Sequence, residues 1–168
     1  MTEQASDIRF GFQYDCKVVA PDGTVLAEWT STNLIPQVGV NHIAGMLRGT
    51  TAPISPWYLG IFEGNFVPQM STTAADLPTT AAECVAYAET ERPIWDNSYD
   101  GLQVISSYNS RATFTMTAAK RLYGAFLVSD PAKGGNGGTL LSIARFASPY
   151  DLVLGATFSL GARIVLVP

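Results

Sequence analysis

The chain alternates apolar and polar residues without a break across residues 8–18. Ile8, Phe10, Phe12, Tyr14, Cys16 and Val18 fall on one side, and Arg9, Gly11, Gln13, Asp15 and Lys17 on the other. Successive side chains of an extended backbone point to opposite faces, so a period of two specifies a strand with one packed face and one wet face. The rhythm returns at the far end, where Phe158, Leu160, Ala162, Ile164 and Leu166 alternate with Thr157, Ser159, Gly161 and Arg163. Half-buried strands at both ends are the mark of antiparallel sheets, because the strands of a parallel α/β fold read as continuous apolar runs.

Between these ends the turn chemistry is dense. Pro21-Asp22-Gly23-Thr24 is a tight-turn signature that joins the first strand to a second over residues 25–32. Pro36 stops strand pairing, and residues 37–47 carry Val40, Ile43, Ala44 and Leu47 at helical spacing, which predicts one short helix weakened by Gly39 and Gly45. The apolar runs 57–62 and 122–129 predict central strands. Residues 68–80 form a long polar loop, a length usual for functional or partner-bound segments. Residues 81–88 fit either a helical turn or a strand, 92–95 an extended piece, and 96–101 a turn. Residues 111–118 alternate again, 133–138 read as a flexible Gly-rich hairpin tip, and 139–147 and 156–167 close the sheet. The expected fold is all-β with one short helix: an antiparallel β-sandwich, jelly-roll-like, of eight or nine strands. It is expected as an N-terminal arm, 1–7, followed by one sandwich domain, 8–168.

The composition narrows the functions. A net charge of −4 with scattered basic residues argues against binding to nucleic acid phosphates or to an anionic membrane. No stretch approaches a membrane span, and the polar, acidic start lacks the features of a signal peptide, so synthesis in cytosol is expected. Cys16 and Cys84 are then expected to remain thiols, with a disulfide between them as the alternative. Only 14% of residues are charged, which points to a surface partly covered by partners.

Residues for chemistry are scarce. His42 is the one histidine, and its place beside the apolar stripe of the helix predicts a packed or capping role. Glu83, Glu89 and Glu91 lie near one another, and Asp96 and Asp100 flank a turn. Two carboxylates serve a glycan hydrolase only at the right separation in space. The segment 96–101 lacks the second alternate acid and the distal Glu of a calcium loop. The tip 134–138 lacks the Gly-Lys-Ser/Thr ending of a phosphate loop. Trp57, Tyr58, Trp95, Tyr99 and Tyr108 supply the aromatics for a sugar platform, although core or interface positions are the commoner use of such residues. No catalytic, cofactor-binding or metal-ligating residue is assigned.

Several segments carry a resemblance. Asn33-Leu34-Ile35-Pro36, Gly39-Val40-Asn41 and Trp57-Tyr58-Leu59-Gly60-Ile61-Phe62 resemble the front half of small structural proteins of tailed bacteriophages. Arg92-Pro93-Ile94-Trp95, Gly124-Ala125-Phe126-Leu127-Val128-Ser129, Gly138-Thr139-Leu140-Leu141-Ser142 and Ala144-Arg145-Phe146 resemble the back half. Capsid decoration or cement proteins fit best among these. The resemblance implies a non-enzymatic virion protein on the outer surface of the capsid, touching the major capsid protein and pairing with copies of itself as dimers or trimers. It implies no cofactor, no nucleic acid and no membrane. A tail or head–tail joining protein, a receptor- or glycan-binding virion module, and a glycan hydrolase are the alternatives.

Overall fold

In a computed structural model of the chain, residues 10–166 are described. The expected arm 1–7, together with Ile8, Arg9 and Val167, lies outside the described residues. The alternating segment forms β1 (Phe10–Val19), which runs antiparallel to both β2 (Val25–Thr32) and β9 (Thr157–Leu166). The β1–β2 turn is the one expected. Gly23 takes a φ of 88°, and the Asp22 carboxylate accepts the Thr24 N–H at 2.9 Å.

Three short strands widen this first sheet: β4 (Ser98–Tyr99), β5 (Val104–Ser106) and β6 (Ala112–Thr115). Both β5 and β6 pair with β9, and β4 pairs with β5, so the order is β2-β1-β9-β5-β4 with β6 also on β9. The second sheet holds β3 (Tyr58–Phe62), β7 (Lys120–Val128) and β8 (Leu140–Leu152) in the order β3-β7-β8. Phe12, Tyr14, Cys16 and Phe158 of the first sheet meet Leu59, Ile61, Ala125 and Leu127 of the second in one core. The fold is an all-β antiparallel sandwich with one helix.

The second sheet is buried on both faces. Phe62, Phe126, Val128, Leu140 and Ile143 point away from the sandwich interior and pack under Ala74, Leu77 and Ala81. The segment 68–80, expected as a long polar loop available to a partner, is instead partly packed into the core of its own chain. The segment contains a 3₁₀ turn, Ala74–Asp76, closed by a reciprocal capping box between Thr73 and Asp76, and it places Leu77 at full burial.

Double-sided burial also explains why β3 reads as a central strand. It is instead at the edge of its ladder, paired only with β7. Its free edge is covered by residues 81–95, an irregular strap. The strap exchanges backbone bonds with it from Cys84 N–H to Ile61 O, Leu59 N–H to Pro93 O and Trp95 N–H to Trp57 O, at 2.8–2.9 Å. A strap of this kind satisfies the edge without a regular strand. The 96–101 turn is displaced as well. Ser98 and Tyr99 are strand, and the turn follows Asp100.

The helix α1 (Gln37–Leu47) has the expected limits but not the expected orientation. Its buried residues are Gly39, His42 and Gly45, whereas Val40 and Leu47 of the apolar stripe are 40% and 85% exposed. Close approach is the reason. A Cβ on Gly39 would stand 2.6 Å from the Leu141 carbonyl oxygen, and one on Gly45 would stand 2.2 Å from the Thr51 hydroxyl. Only glycine fits where Gly39 lies against β8 and Gly45 against Thr51.

Glycine is required for packing in the second sheet too. A Cβ on Gly124 would meet the Ala144 carbonyl oxygen at 2.1 Å and the Phe62 ring at 2.2 Å, while one on Gly11 would meet nothing within 4 Å. Gly124→Ala is expected to lower stability by at least about 1–3 kcal/mol, the usual overpacking range. Gly11→Ala is expected to change it by less than about 0.5 kcal/mol. Urea unfolding of the two variants beside the parent measures both.

Candidate functional site

Six strands face three, so part of the inner face of the first sheet has no sheet opposite it. Phe12, Ile164, Ile105 and Tyr99 stand in register across β1, β9, β5 and β4 and therefore share one face. Phe12 is 3% exposed, Ile164 6%, Ile105 partly buried, and Tyr99 56%. Burial fades toward β4 because the second sheet ends. Across the gap stands α1, turning Val40, Ile43 and Leu47 toward it, and Trp57 and Trp95 line it as well. The result is an apolar groove of about 1390 Å³.

Polar groups in the groove are few. Among the described residues, Asp96 is the only charged side chain lining it. Asn33 accepts the Phe12 N–H at 2.9 Å through Oδ1, while its buried Nδ2 donates to nothing among the described residues. Trp95 is anchored from behind, its indole N–H donating to the Ala162 carbonyl at 2.9 Å.

The strap that carries Trp95 is pinned by a buried ion pair. Arg92 Nε donates to Glu83 Oε1 at 2.9 Å and Nη2 to Oε2 at 2.6 Å, with both side chains at most 1% exposed. Arg92 also donates to the carbonyls of Asp130 and Gly135, at 2.9 and 2.7 Å, and Glu83 accepts the Gly134 N–H at 3.1 Å. Lys133 adds bonds to the Tyr87 and Glu89 carbonyls at 2.7 and 2.9 Å. The β7–β8 hairpin tip, expected to be flexible, is thus fastened to the strap through the Lys133 ammonium, the Gly134 N–H and the Asp130 and Gly135 carbonyls.

The acidic residues singled out in the sequence are dispersed by this arrangement. Glu83 holds Arg92. Glu89 accepts both the N–H and the hydroxyl of Thr115. Glu91 is exposed, and Asp96 lines the groove apart from the other carboxylates singled out. Asp100 accepts the N–H groups of Val104, Leu102 and Gln103, bonds that hold its carboxyl below the usual range. Among the described residues no group of three His, Cys, Asp or Glu converges as a metal site, and no helix is long and apolar enough to cross a membrane.

His42 is packed, as expected, with its ring edge-on to Trp57 at 5.4 Å between centroids. Cys16 and Cys84 are free thiols in the interior. Burial raises both, Cys84 from 9.0 to about 11 and Cys16 further. The five aromatics do not assemble into a sugar platform. Trp57 and Trp95 are core residues at the floor of the groove, and Tyr108 stands over the Arg111 guanidinium at 4.5 Å. The role of Arg92 and the groove itself escape the sequence reading. Two signals point to them: an arginine embedded in an apolar strap, and a helix with glycines on one face and large apolar residues on another.

Comparison with protein-family models, with curated proteins and with solved structures finds no match to this chain.

Two predictions follow from the buried groups. Arg92→Met leaves the Glu83 carboxylate buried without its partner and is expected to cost about 3–5 kcal/mol by urea unfolding. The double variant Glu83→Leu, Arg92→Met is expected to lose less than Arg92→Met alone, because no unpaired charge remains.

The thiols give a pH signature. The unfolded chain ionises Cys84 first, so the stability gained by keeping it neutral is full below pH 9 and is lost as pH rises toward 11. Ellman's reagent at about pH 8 is expected to label the folded protein slowly and the urea-unfolded protein at both thiols. Rapid labelling of the folded protein would contradict the placement of both cysteines.

Proposed function

We propose that this chain is a non-enzymatic structural protein of a tailed-bacteriophage particle, a capsid decoration or cement protein. It binds the outer surface of the major capsid protein shell and stabilises it, alongside copies of itself as a dimer or trimer. The observation that carries the reading is the apolar groove. A wide concavity with one charged side chain and no acid–base or nucleophile–base pair among the described residues offers burial of another protein's surface. The same segments that resemble phage structural proteins build it, since Asn33-Leu34-Ile35, Trp57 and Ile94-Trp95 all line the groove.

The rest of the molecule agrees with that use. The strap, the hairpin tip and the outer cover of the second sheet are tied into the body by buried bonds, as suits a rigid clamp on a repeating surface. The low charge and the acidic balance fit a protein partner and fit neither nucleic acid nor an anionic membrane. No cofactor is called for.

Quantitative mass spectrometry of purified particles that carry this chain tests the proposal, with copy number scaled to the major capsid protein. Several hundred copies per particle are expected, the count of a repeating shell site. About a dozen copies or fewer would move the chain to a tail or head–tail joining ring. Absence from the particle would overturn the structural reading.

A further inference from the structure

The fastening of the β7–β8 tip stops short of its apex. Gly135 is held by its carbonyl, which accepts from Arg92 Nη2 at 2.7 Å, and Thr139 by its N–H, which donates to Ser129 Oγ at 2.8 Å. Between these two posts Asn136 and Gly137 are exposed. Among the described residues no hydrogen bond reaches the backbone or side chain of either. Asn136 is also the one asparagine of the sequence that is followed by glycine.

That dipeptide has a chemistry of its own. The backbone nitrogen of the second residue can close a succinimide ring on the side-chain amide of the first. Closure needs an unshielded nitrogen and a peptide free to turn. Glycine has no Cβ to shield the nitrogen, and rotation of the 136–137 peptide breaks no hydrogen bond here.

We infer that Asn136 is a site of spontaneous deamidation in the folded protein, and that its isoaspartyl product loosens the strap. The Gly137 nitrogen gives up its proton and bonds to Asn136 Cγ, the Cγ–Nδ2 bond breaks, and ammonia leaves with that proton. Water then adds to one carbonyl of the ring. Opening at Cγ leaves aspartate. Opening at the backbone carbonyl leaves isoaspartate, in which the chain runs through Cβ and Cγ and residue 136 carries a free α-carboxylate. Water is the co-reactant, and nothing is oxidised or reduced.

The consequence follows from what flanks the apex. Isoaspartate adds a methylene to the backbone of a span held at both posts, so the strain falls on the posts. The nearer is Gly135, whose carbonyl shares Arg92 Nη2 with Glu83. The new carboxylate is carried by the residue next to that carbonyl and competes with Glu83 for the guanidinium. The Asp130 carboxylate already stands 4.0 Å from Arg92 Nη1, so the added charge crowds an acidic surround. Arg92 belongs to the strap that bonds the edge of β3 and sets Trp95 on the groove floor. The modification thus reaches from an exposed apex to the groove, whatever the groove binds.

The test is incubation of the folded full chain at neutral to mildly alkaline pH. Mass spectrometry follows the tip peptide, and enzymatic methylation of the α-carboxylate counts isoaspartate. With no hydrogen bond to open, Asn136 is expected to convert within about tenfold of its rate in the urea-unfolded chain. Asn109, exposed but followed by serine, is expected to stay largely intact over the same time. Asn136→Gln, whose longer side chain does not close this ring, is expected to keep its amide. In the isoaspartyl chain, exchange of the Cys84 and Trp95 N–H groups that fasten the strap is expected to quicken by about tenfold or more, the loss of one hydrogen bond to a charged group. Asn136→Asp, which gains the charge without the methylene, is expected to change it by less.

An Asn136 that persists in the folded chain while the unfolded chain converts would overturn the site. Isoaspartate that leaves exchange at Cys84 and Trp95 unchanged, or Asn136→Asp that quickens it equally, would overturn the loosening through the backbone.

Discussion

The governing constraint in this fold is one of width. Six strands on one side and three on the other leave inward-facing side chains that no opposing strand can cover. Each large apolar side chain left in water forgoes roughly 1.5–3 kcal/mol of burial. The chain answers with irregular elements rather than more strands. The strap adds Cys84, Tyr87 and Trp95 to the core, and α1 closes part of one end through its glycine face. What these cannot reach becomes the groove.

The strap is a poor candidate for independent order, having neither a ladder of its own nor a helix. Its position therefore depends on a few strong contacts, of which the Glu83–Arg92 pair is the most buried. A buried pair is weak as a source of net stability, since the desolvation of both ions offsets most of their attraction. Its value here is geometric. A guanidinium that bonds one carboxylate through two nitrogens and two hairpin carbonyls besides can be satisfied in only one arrangement of strap and hairpin. That arrangement carries Pro93 and Trp95 onto the edge of β3 and so completes the floor of the groove.

The first and last period-two segments were legible in the sequence almost to the residue where described, whereas the alternating 111–118 is strand only over Ala112–Thr115. The strands that begin and end the chain, the Pro21–Thr24 turn and the limits of the helix all follow from local pattern and turn chemistry. Burial on two faces was legible for β3 and β7, but β3 shows that burial and ladder position are separate properties. An edge strand covered by a strap has the composition of a central one. The fastening of the 133–138 tip was hidden because glycine composition reports backbone freedom in the unfolded chain and says nothing of the donors and acceptors brought to it by a distant strap. The groove was hidden for a similar reason. It arises from the mismatch of two sheets, and no window along the chain contains that mismatch.

The helix shows why the groove is left open rather than filled. Placing Val40 and Leu47 against β8 would bury the apolar stripe, yet any Cβ at the Gly39 position collides with the β8 backbone at the observed distance. The chain instead keeps two glycines that each weaken a helix by about 1 kcal/mol and turns its large side chains outward. Both choices run against the stability of the isolated chain, and both enlarge one surface. Val40 and Leu47 stay exposed at the groove, so their apolar area is left unburied by folding alone.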